Sequence, residues 1–384
     1  MRTNISVYVL ALIAVLSFLT LGGCGGNNSN DNSLNPELAA QLREVVTRYK
    51  MEFGVPGVLA GVWIPGKGHL IIEDGLSDIE TETLIFKADH VRIGSVTKSF
   101  TVTVILQLAG EGLIGLSDPV GKYLPGVENG DATIAELADM RSGIFNYTED
   151  PDFVAEFVNS DFLEKWTDQE LVDFADRNTP YFPPGGGWHY SNTNTVILGM
   201  IVEQVTGHSL GDEIRKRIIE PLGLGGTVYP ATSEMPDPFS HGYGFDPLKD
   251  ITFTDPSSSA GSGAMISSLL DLKKWGVALG KGTLLSKELQ KERINSLEPV
   301  VFDPCDDDDP DRQKRSCPEY DRYGLGIGEI SGWIGHTGEY IGYTSLVMYD
   351  PESGSVVVIL TNIFGVGEHL PTQIFREFAG ILNR

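Results

Sequence analysis

Strand-like segments lie toward both ends of this chain with a long helical stretch between them, and this arrangement constrains the fold more than any other feature. Val58–Ile64 and His69–Glu73 read as two strands joined by Pro65-Gly66-Lys67-Gly68, a hairpin connection. Tyr343–Tyr349 and Ser355–Leu360 read as consecutive strands around the turn residues Asp350-Pro351-Glu352-Ser353-Gly354. From about Leu116 to Asp255 the pattern is helical and broken by Pro and Gly, with Asn194–Val205 and Leu210–Ile219 the clearest helices. Pro36–Phe53 places Leu38, Leu42, Val45, Val46, Tyr49 and Phe53 on one helical face and stops at Gly54. Ser95–Leu108 reads as a buried helix, and Leu269–Leu279 and Gln373–Leu382 as two more. The fold class that follows is α/β: an antiparallel sheet from the N- and C-terminal segments, flanked by helices, with an inserted, mostly helical lobe. Residues 36–115 and 256–384 would form the sheet lobe and 116–255 the helical lobe, with a cleft between them as the natural place for a site.

Charge narrows the partners. The 384 residues carry 28 Lys+Arg against 53 Asp+Glu, a formal net charge of −25. Nucleic-acid affinity comes mostly from cations neutralising phosphates, so a nucleic-acid partner is excluded. The N-terminus has its own signature: Arg2, then the uncharged run Ile5–Leu21, then Leu21-Gly22-Gly23-Cys24. A basic start, an apolar stretch and small residues describe an export signal. The Leu-Gly-Gly-Cys ending resembles a bacterial lipobox, which implies cleavage before Cys24 and acylation of that residue. Residues 1–23 would be the lipoprotein signal peptide and 24–35 a flexible tether rich in Gly, Asn and Ser. The folded part would then face the extracytoplasmic side of the bacterial cell envelope, held to the membrane by lipid. An uncleaved membrane anchor is the alternative.

With Cys24 assigned to lipid, Cys305 and Cys317 remain as an even pair, and export makes a disulfide between them the expectation. Such a closure is worth about 3 kcal/mol in the chain-entropy model. The enclosed Asp306-Asp307-Asp308-Asp309 run lacks the spacing of a calcium loop and reads as a solvated acidic insertion. No zinc-type spacing is present either, so no metal is expected.

Two serines compete for a chemical role. Gly207-His208-Ser209-Leu210-Gly211 fits the G-x-S-x-G elbow of lipases and esterases, which requires a sharp strand-to-helix turn. Here the preceding residues have helical spacing, so Gly207 reads as a helix-ending glycine and Ser209 as the cap of the next helix. The other candidate is Ser95-Val96-Thr97-Lys98, in which Ser95 follows Gly94 and opens an apolar helix. Residues three apart share a helical face, so the Lys98 amine can reach the Ser95 hydroxyl. A lysine desolvated or placed beside other cations loses its proton more readily and can then act as a base. Tyr190-Ser191-Asn192 follows a Pro- and Gly-rich loop. Tyr190 could relay protons as a phenolate if cations depress its pKa, and Asn192 could donate to an amide carbonyl. His336-Thr337-Gly338 lies just before a predicted strand, where an extended edge could pair with a peptide-like substrate.

Ser95-x-x-Lys98, Tyr190-x-Asn192 and His336-Thr337-Gly338, in that order, resemble the penicillin-recognising serine hydrolases, most closely the D-alanyl-D-alanine carboxypeptidases related to class C β-lactamases. Arg141-Ser142-Gly143-Ile144, Val205-Thr206-Gly207 and Gly335-His336-Thr337-Gly338-Glu339 extend the resemblance from about Pro36 to the C-terminus. It implies the β-lactamase/transpeptidase-like fold and an acyl-enzyme at Ser95, with Lys98 and Tyr190 sharing base and acid roles. It further implies that Asn192 binds the acyl side-chain amide, that His336 supplies a positive or hydrogen-bonding partner near Tyr190, and that Thr337 orients the leaving end. Gly338 permits close backbone approach, and the backbone N–H groups of Ser95 and Glu339 would form the oxyanion hole. Substrates would be small D,D-peptides, amides or esters, peptidoglycan stem peptides among them, with no cofactor. His336 stands where most β-lactamases carry Lys, which favours peptidase or esterase branches. Tyr323–Ser331 contains no arginine to hold a terminal carboxylate. Two alternatives stand beside this reading: an esterase using Ser209, and a non-catalytic cell-envelope binding module.

Overall fold

The computed structural model describes residues 33–245, 247–300 and 319–383; Cys24, Cys305 and Cys317 lie outside these residues. Helix α1, Pro36–Phe53, begins where the Asn35 side chain accepts the Glu37 N–H at 2.9 Å, and ends at Gly54 in the left-handed conformation (φ 63°). The sheet is built from β1 (Gly57–Ile64), β2 (Gly68–Asp78), β3 (Thr83–Leu84), β4 (Glu298–Pro299), β5 (Arg322–Gly324), β6 (Ile327–Ile330), β7 (Trp333–Tyr340), β8 (Tyr343–Tyr349) and β9 (Val356–Thr361). Its order is β3-β2-β1-β9-β8-β7-β6-β5-β4, antiparallel throughout. The first and last segments of the fold therefore meet at its centre, where Val58 pairs with Thr361 and Trp63 with Val356.

Alternation along the central strands sorts side chains onto two buried faces. Val58, Ala60, Val62, Val357, Ile359, Leu346 and Met348 face one side, covered by α1 and the C-terminal helix Leu370–Leu382. Leu59, Val356, Val358, Leu360 and Val347 face the other, against helices Val96–Gly110 and Leu269–Lys281. Val96–Gly110 is buried on nearly every side, which its lack of a polar face allows. Trp275 stacks on Phe100 at 3.9 Å and donates its indole N–H to the Ser99 hydroxyl at 2.9 Å. The same core continues into the helical middle through Val196, Ile197 and Leu210, so the 116–255 segment and the sheet share one interior.

Three local expectations need correction, and one stretch carries strands that no expectation covered. His336-Thr337-Gly338 lies inside β7 and not before a strand. The stretch before it contains two short strands, β5 and β6, whose Gly-rich text hid their pairing. The helix expected over 210–219 is α-helical only to Ile214, then π-helical over Arg215–Ile219. Pro221 lacks the N–H that would close the α-helical bond there. The last helix starts at Leu370, because Pro371 is tolerated in a first turn.

Candidate active site

Ser95 sits in the N-cap position of helix Val96–Gly110, partly exposed at the floor of a cavity of about 410 Å³. The turn that delivers it needs a glycine. Gly94 has φ 49°, and a Cβ there would lie 2.4–2.8 Å from the O, C and N backbone atoms of Glu339. Ser345 ties the same turn to the sheet by donating its hydroxyl to the Ile93 carbonyl at 2.8 Å. Ser95 is thereby pressed against β7. On that strand the Thr337 N–H is directed away from β8, toward the cavity edge, where it meets the Tyr320 hydroxyl at 2.9 Å. Ladder alternation puts the Glu339 N–H on the same edge as that of Thr337, on the side where Gly94 abuts.

One turn into the helix, Lys98 has no exposed surface. Its Nζ lies 2.8 Å from Ser95 Oγ, 2.6 Å from Asn192 Oδ1 and 2.8 Å from the Ser262 carbonyl. Burial holds its pKa well below the ordinary lysine value. A neutral amine suits this geometry. Two N–H groups satisfy the two carbonyl oxygens, neither of which can donate, and the lone pair is left facing the Ser95 O–H. No further cation is needed; desolvation alone does the work.

Tyr190 behaves differently from the phenolate expectation. Burial pushes its pKa well above the usual phenol value, the neighbouring Tyr323 and Tyr320 phenols push in the same direction, and its hydrogen bond with the Ser95 hydroxyl opposes them. Tyr190 is therefore a neutral O–H beside Ser95, with Lys98 Nζ 4.8 Å from its ring centre. Asn192 is more committed than expected as well. Its Oδ1 holds Lys98, its Nδ2 donates to Thr148 Oγ1 at 3.2 Å, and its backbone N–H donates to Asn146 Oδ1 at 3.0 Å.

His336 is the largest departure. Its ring is wholly buried and does not line the cavity. Nδ1 faces the Thr337 carbonyl at 2.6 Å, an acceptor, so Nδ1 carries the proton and Nε2 accepts from the Tyr323 hydroxyl at 2.9 Å. Burial lowers its pKa to about 3. It is a neutral ring, not a positive partner, and it is linked to Tyr190 through Tyr323, whose ring packs edge-on against Tyr190 at 6.1 Å. Thr337 and Glu339 do line the cavity. The structure thus brings together Ser95, Lys98, Tyr190, Asn192, Thr337 and Glu339, with Gly338 between the last two, and turns His336 away.

Sequence reading missed Glu319, Tyr320, Tyr147, Phe157 and Phe364, all of which line the cavity. None belongs to a local motif. The Arg141–Ile144 text proves structural: Ser142 donates to Asn194 Oδ1 at 2.7 Å and fixes the loop that buttresses Asn192. Among the described residues no lysine or arginine lines the cavity, whereas the carboxylates of Glu319 and Glu339 do.

Ser209 stands apart from all of this. It caps helix Leu210–Ile214, accepting the Asp212 N–H at 3.1 Å, and follows a helix ended by Gly207 in the left-handed conformation. A helix and not a strand leads into it, so the elbow reading fails. Ser209→Ala should leave hydrolytic turnover unchanged and cost about 1 kcal/mol of stability in urea unfolding, the usual worth of an N-cap.

The chain belongs to the beta-lactamase family of serine hydrolases, whose family model matches residues 42–377. Among curated proteins it is similar to a penicillin-binding protein of Bacillus subtilis (strain 168), 29% identical over 233 residues. That match spans 55% of this chain and 50% of the relative, about half of its length. Among solved structures it is similar to a D-stereospecific amidohydrolase from Streptomyces sp., with 33% identity, 89% of this chain and 99% of that one covered, and TM-score 0.75. It is also similar to the D-amino acid amidase from Ochrobactrum anthropi SV3 in complex with L-phenylalanine amide, with 25% identity, 90% and 98% covered, and TM-score 0.76.

Proposed function

We propose that the protein hydrolyses small amides or esters through an acyl-enzyme on Ser95, and that its substrates are amides of D-amino acids bearing a free amine. The contact between buried Lys98 Nζ and Ser95 Oγ carries this reading. As Ser95 Oγ attacks the substrate carbonyl, Lys98 takes its proton, and the oxyanion is met by the N–H groups of Ser95 and Glu339. Tyr190, held protonated, bridges the proton from Lys98 to the leaving nitrogen; water then reverses the sequence. Tyr147, Phe157 and Phe364 in the lining suit an apolar acyl side chain, and the carboxyl groups of Glu319 and Glu339, with no lysine or arginine beside them among the described lining residues, suit an ammonium. The same charges oppose the free terminal carboxylate of a D,D-carboxypeptidase substrate. Similarity to a D-stereospecific amidohydrolase supplies the stereochemical expectation.

Mass spectrometry after treatment with a fluorophosphonate or a penicillin tests the nucleophile: an adduct on Ser95, lost in Ser95→Ala and kept in Ser209→Ala, is expected. An adduct mapped to any other residue overturns the reading. With D-phenylalanine amide, kcat/KM should exceed that for a D-alanyl-D-alanine peptide with a free C-terminus by about a hundredfold, the scale set by unpaired charge in a buried site.

A further inference from the structure

One residue that borders the cavity is marked by no motif: Tyr320. Strand β6 pairs with β7 only as far as Gly328 opposite Gly335. Two residues further along β7, the Thr337 N–H has no strand partner on that side among the described residues, and the Tyr320 hydroxyl accepts it at 2.9 Å. Tyr320 thus takes the place of the next residue of a neighbouring strand. Its ring is seated for the purpose: a Cβ on Gly328 would lie 2.0 Å from Tyr320 Cδ1, so only glycine lets the ring lie across β6. The side chain is 5% exposed and borders the cavity.

The hydroxyl also sets the polarity of its neighbour. Tyr320 Oη accepts from Thr337 N–H and faces the protonated Nδ1 of His336 at 3.0 Å, so its own proton goes to Thr337 Oγ1 at 2.7 Å. The Thr337 proton is then free to point into the cavity.

Which end of the substrate lies here follows from the proton donor. Tyr190 packs on Tyr323, and Tyr323 on Tyr320, with ring centres 6.1 and 5.2 Å apart. A leaving atom that takes its proton from Tyr190 departs toward this end. We infer that Tyr320 is the residue that limits leaving-group length: it occupies the backbone site on β7 that a chain extending past the scissile bond would need. The enzyme accordingly releases ammonia, small amines or small alcohols and rejects peptides prolonged beyond the bond, whether or not they end in a carboxylate. This rests on Ser95 being the acylated residue. It makes Tyr320 a specificity residue acting through Thr337 and through the volume of its ring.

Two substrates that differ only in leaving-group length separate the outcomes: D-phenylalanine amide and D-phenylalanyl-glycine amide, neither with a free carboxylate. Wild-type protein should show kcat/KM at least a hundredfold lower for the longer one, and Tyr320→Ala should narrow that ratio at least tenfold. Wild-type rates within threefold of each other overturn the inference whether or not the Ala variant folds. An unchanged ratio in folded Tyr320→Ala overturns it too. If hydrolysis of the short amide is lost in Ser95→Ala while the ratio test fails, the Tyr320 inference alone falls. If hydrolysis persists in Ser95→Ala, the acyl-enzyme reading falls with it.

Discussion

Lys98→Met is expected to lower kcat by about a thousandfold, within the range by which positioned general bases assist proton transfer. Lys98→Arg should do no better. A guanidinium cannot shed its proton, so charge is kept while the base is lost. The pH profile carries the sharper test. On the proposed mechanism Lys98 acts when deprotonated, and burial places its pKa in the fold well below the ordinary lysine value. In wild type, kcat/KM should therefore rise with pH through a single acid limb below the lysine range, and the residual activity of Lys98→Met should lack that limb. Stability has the same sign. Between the lowered folded pKa and the unfolded value near ~10.4 the unfolded chain binds more protons at this site, so this group's contribution to stability rises with pH across that window and is smallest below it. An acid limb that survives in Lys98→Met would remove the amine from the proton path.

Gly94→Ala should cut kcat by about a hundredfold while KM stays within a few-fold, the signature of losing an oxyanion donor. The added methyl has no room: it would fall 2.4 Å from the Glu339 carbonyl oxygen, and the residue already holds φ 49°. Relief requires the turn to back away from β7, which parts the N–H of Ser95 from that of Glu339. Strain and displacement together should cost about 2 kcal/mol, read as a lower unfolding midpoint. Ser209→Ala is the control, since it also lowers stability but touches no part of the cavity. A Gly94→Ala protein that loses stability yet keeps kcat would show that the Glu339 N–H does not meet the developing charge.

Much of the fold was legible because it rests on local rules. Helix Pro36–Phe53, the hairpin at Gly68 and the strand Tyr343–Tyr349 follow from periodicity and turn residues in contiguous text. The Ser95–Lys98 pair was legible for the same reason, since three residues on a helix fix a shared face. His336 was placed on the right segment with the wrong surroundings. Successive side chains leave a strand on opposite faces, so a Thr337 that lines the cavity turns its neighbour inward, and burial then strips the imidazole of charge. The Tyr190 phenolate failed on a similar point: the cations imagined beside it are absent among the described residues lining the cavity, and desolvation decides. Tyr320 could not be found from sequence. Its place depends on where β6 stops beside β7 and on space above Gly328, both products of pairing between distant segments.

On the proposed mechanism the strand order also sets when activity can first appear during synthesis. The strand Gly57–Ile64 has Val356–Thr361 as one of its two neighbours, a segment the ribosome delivers long after it. Ser95 and Lys98 emerge early, whereas Thr337 and Glu339 arrive only with the later strands. On the proposed mechanism a nascent chain would carry a serine with its base but with half of its hydrogen-bond donors still unmade, and hydrolysis would begin only once the late strands have closed the sheet.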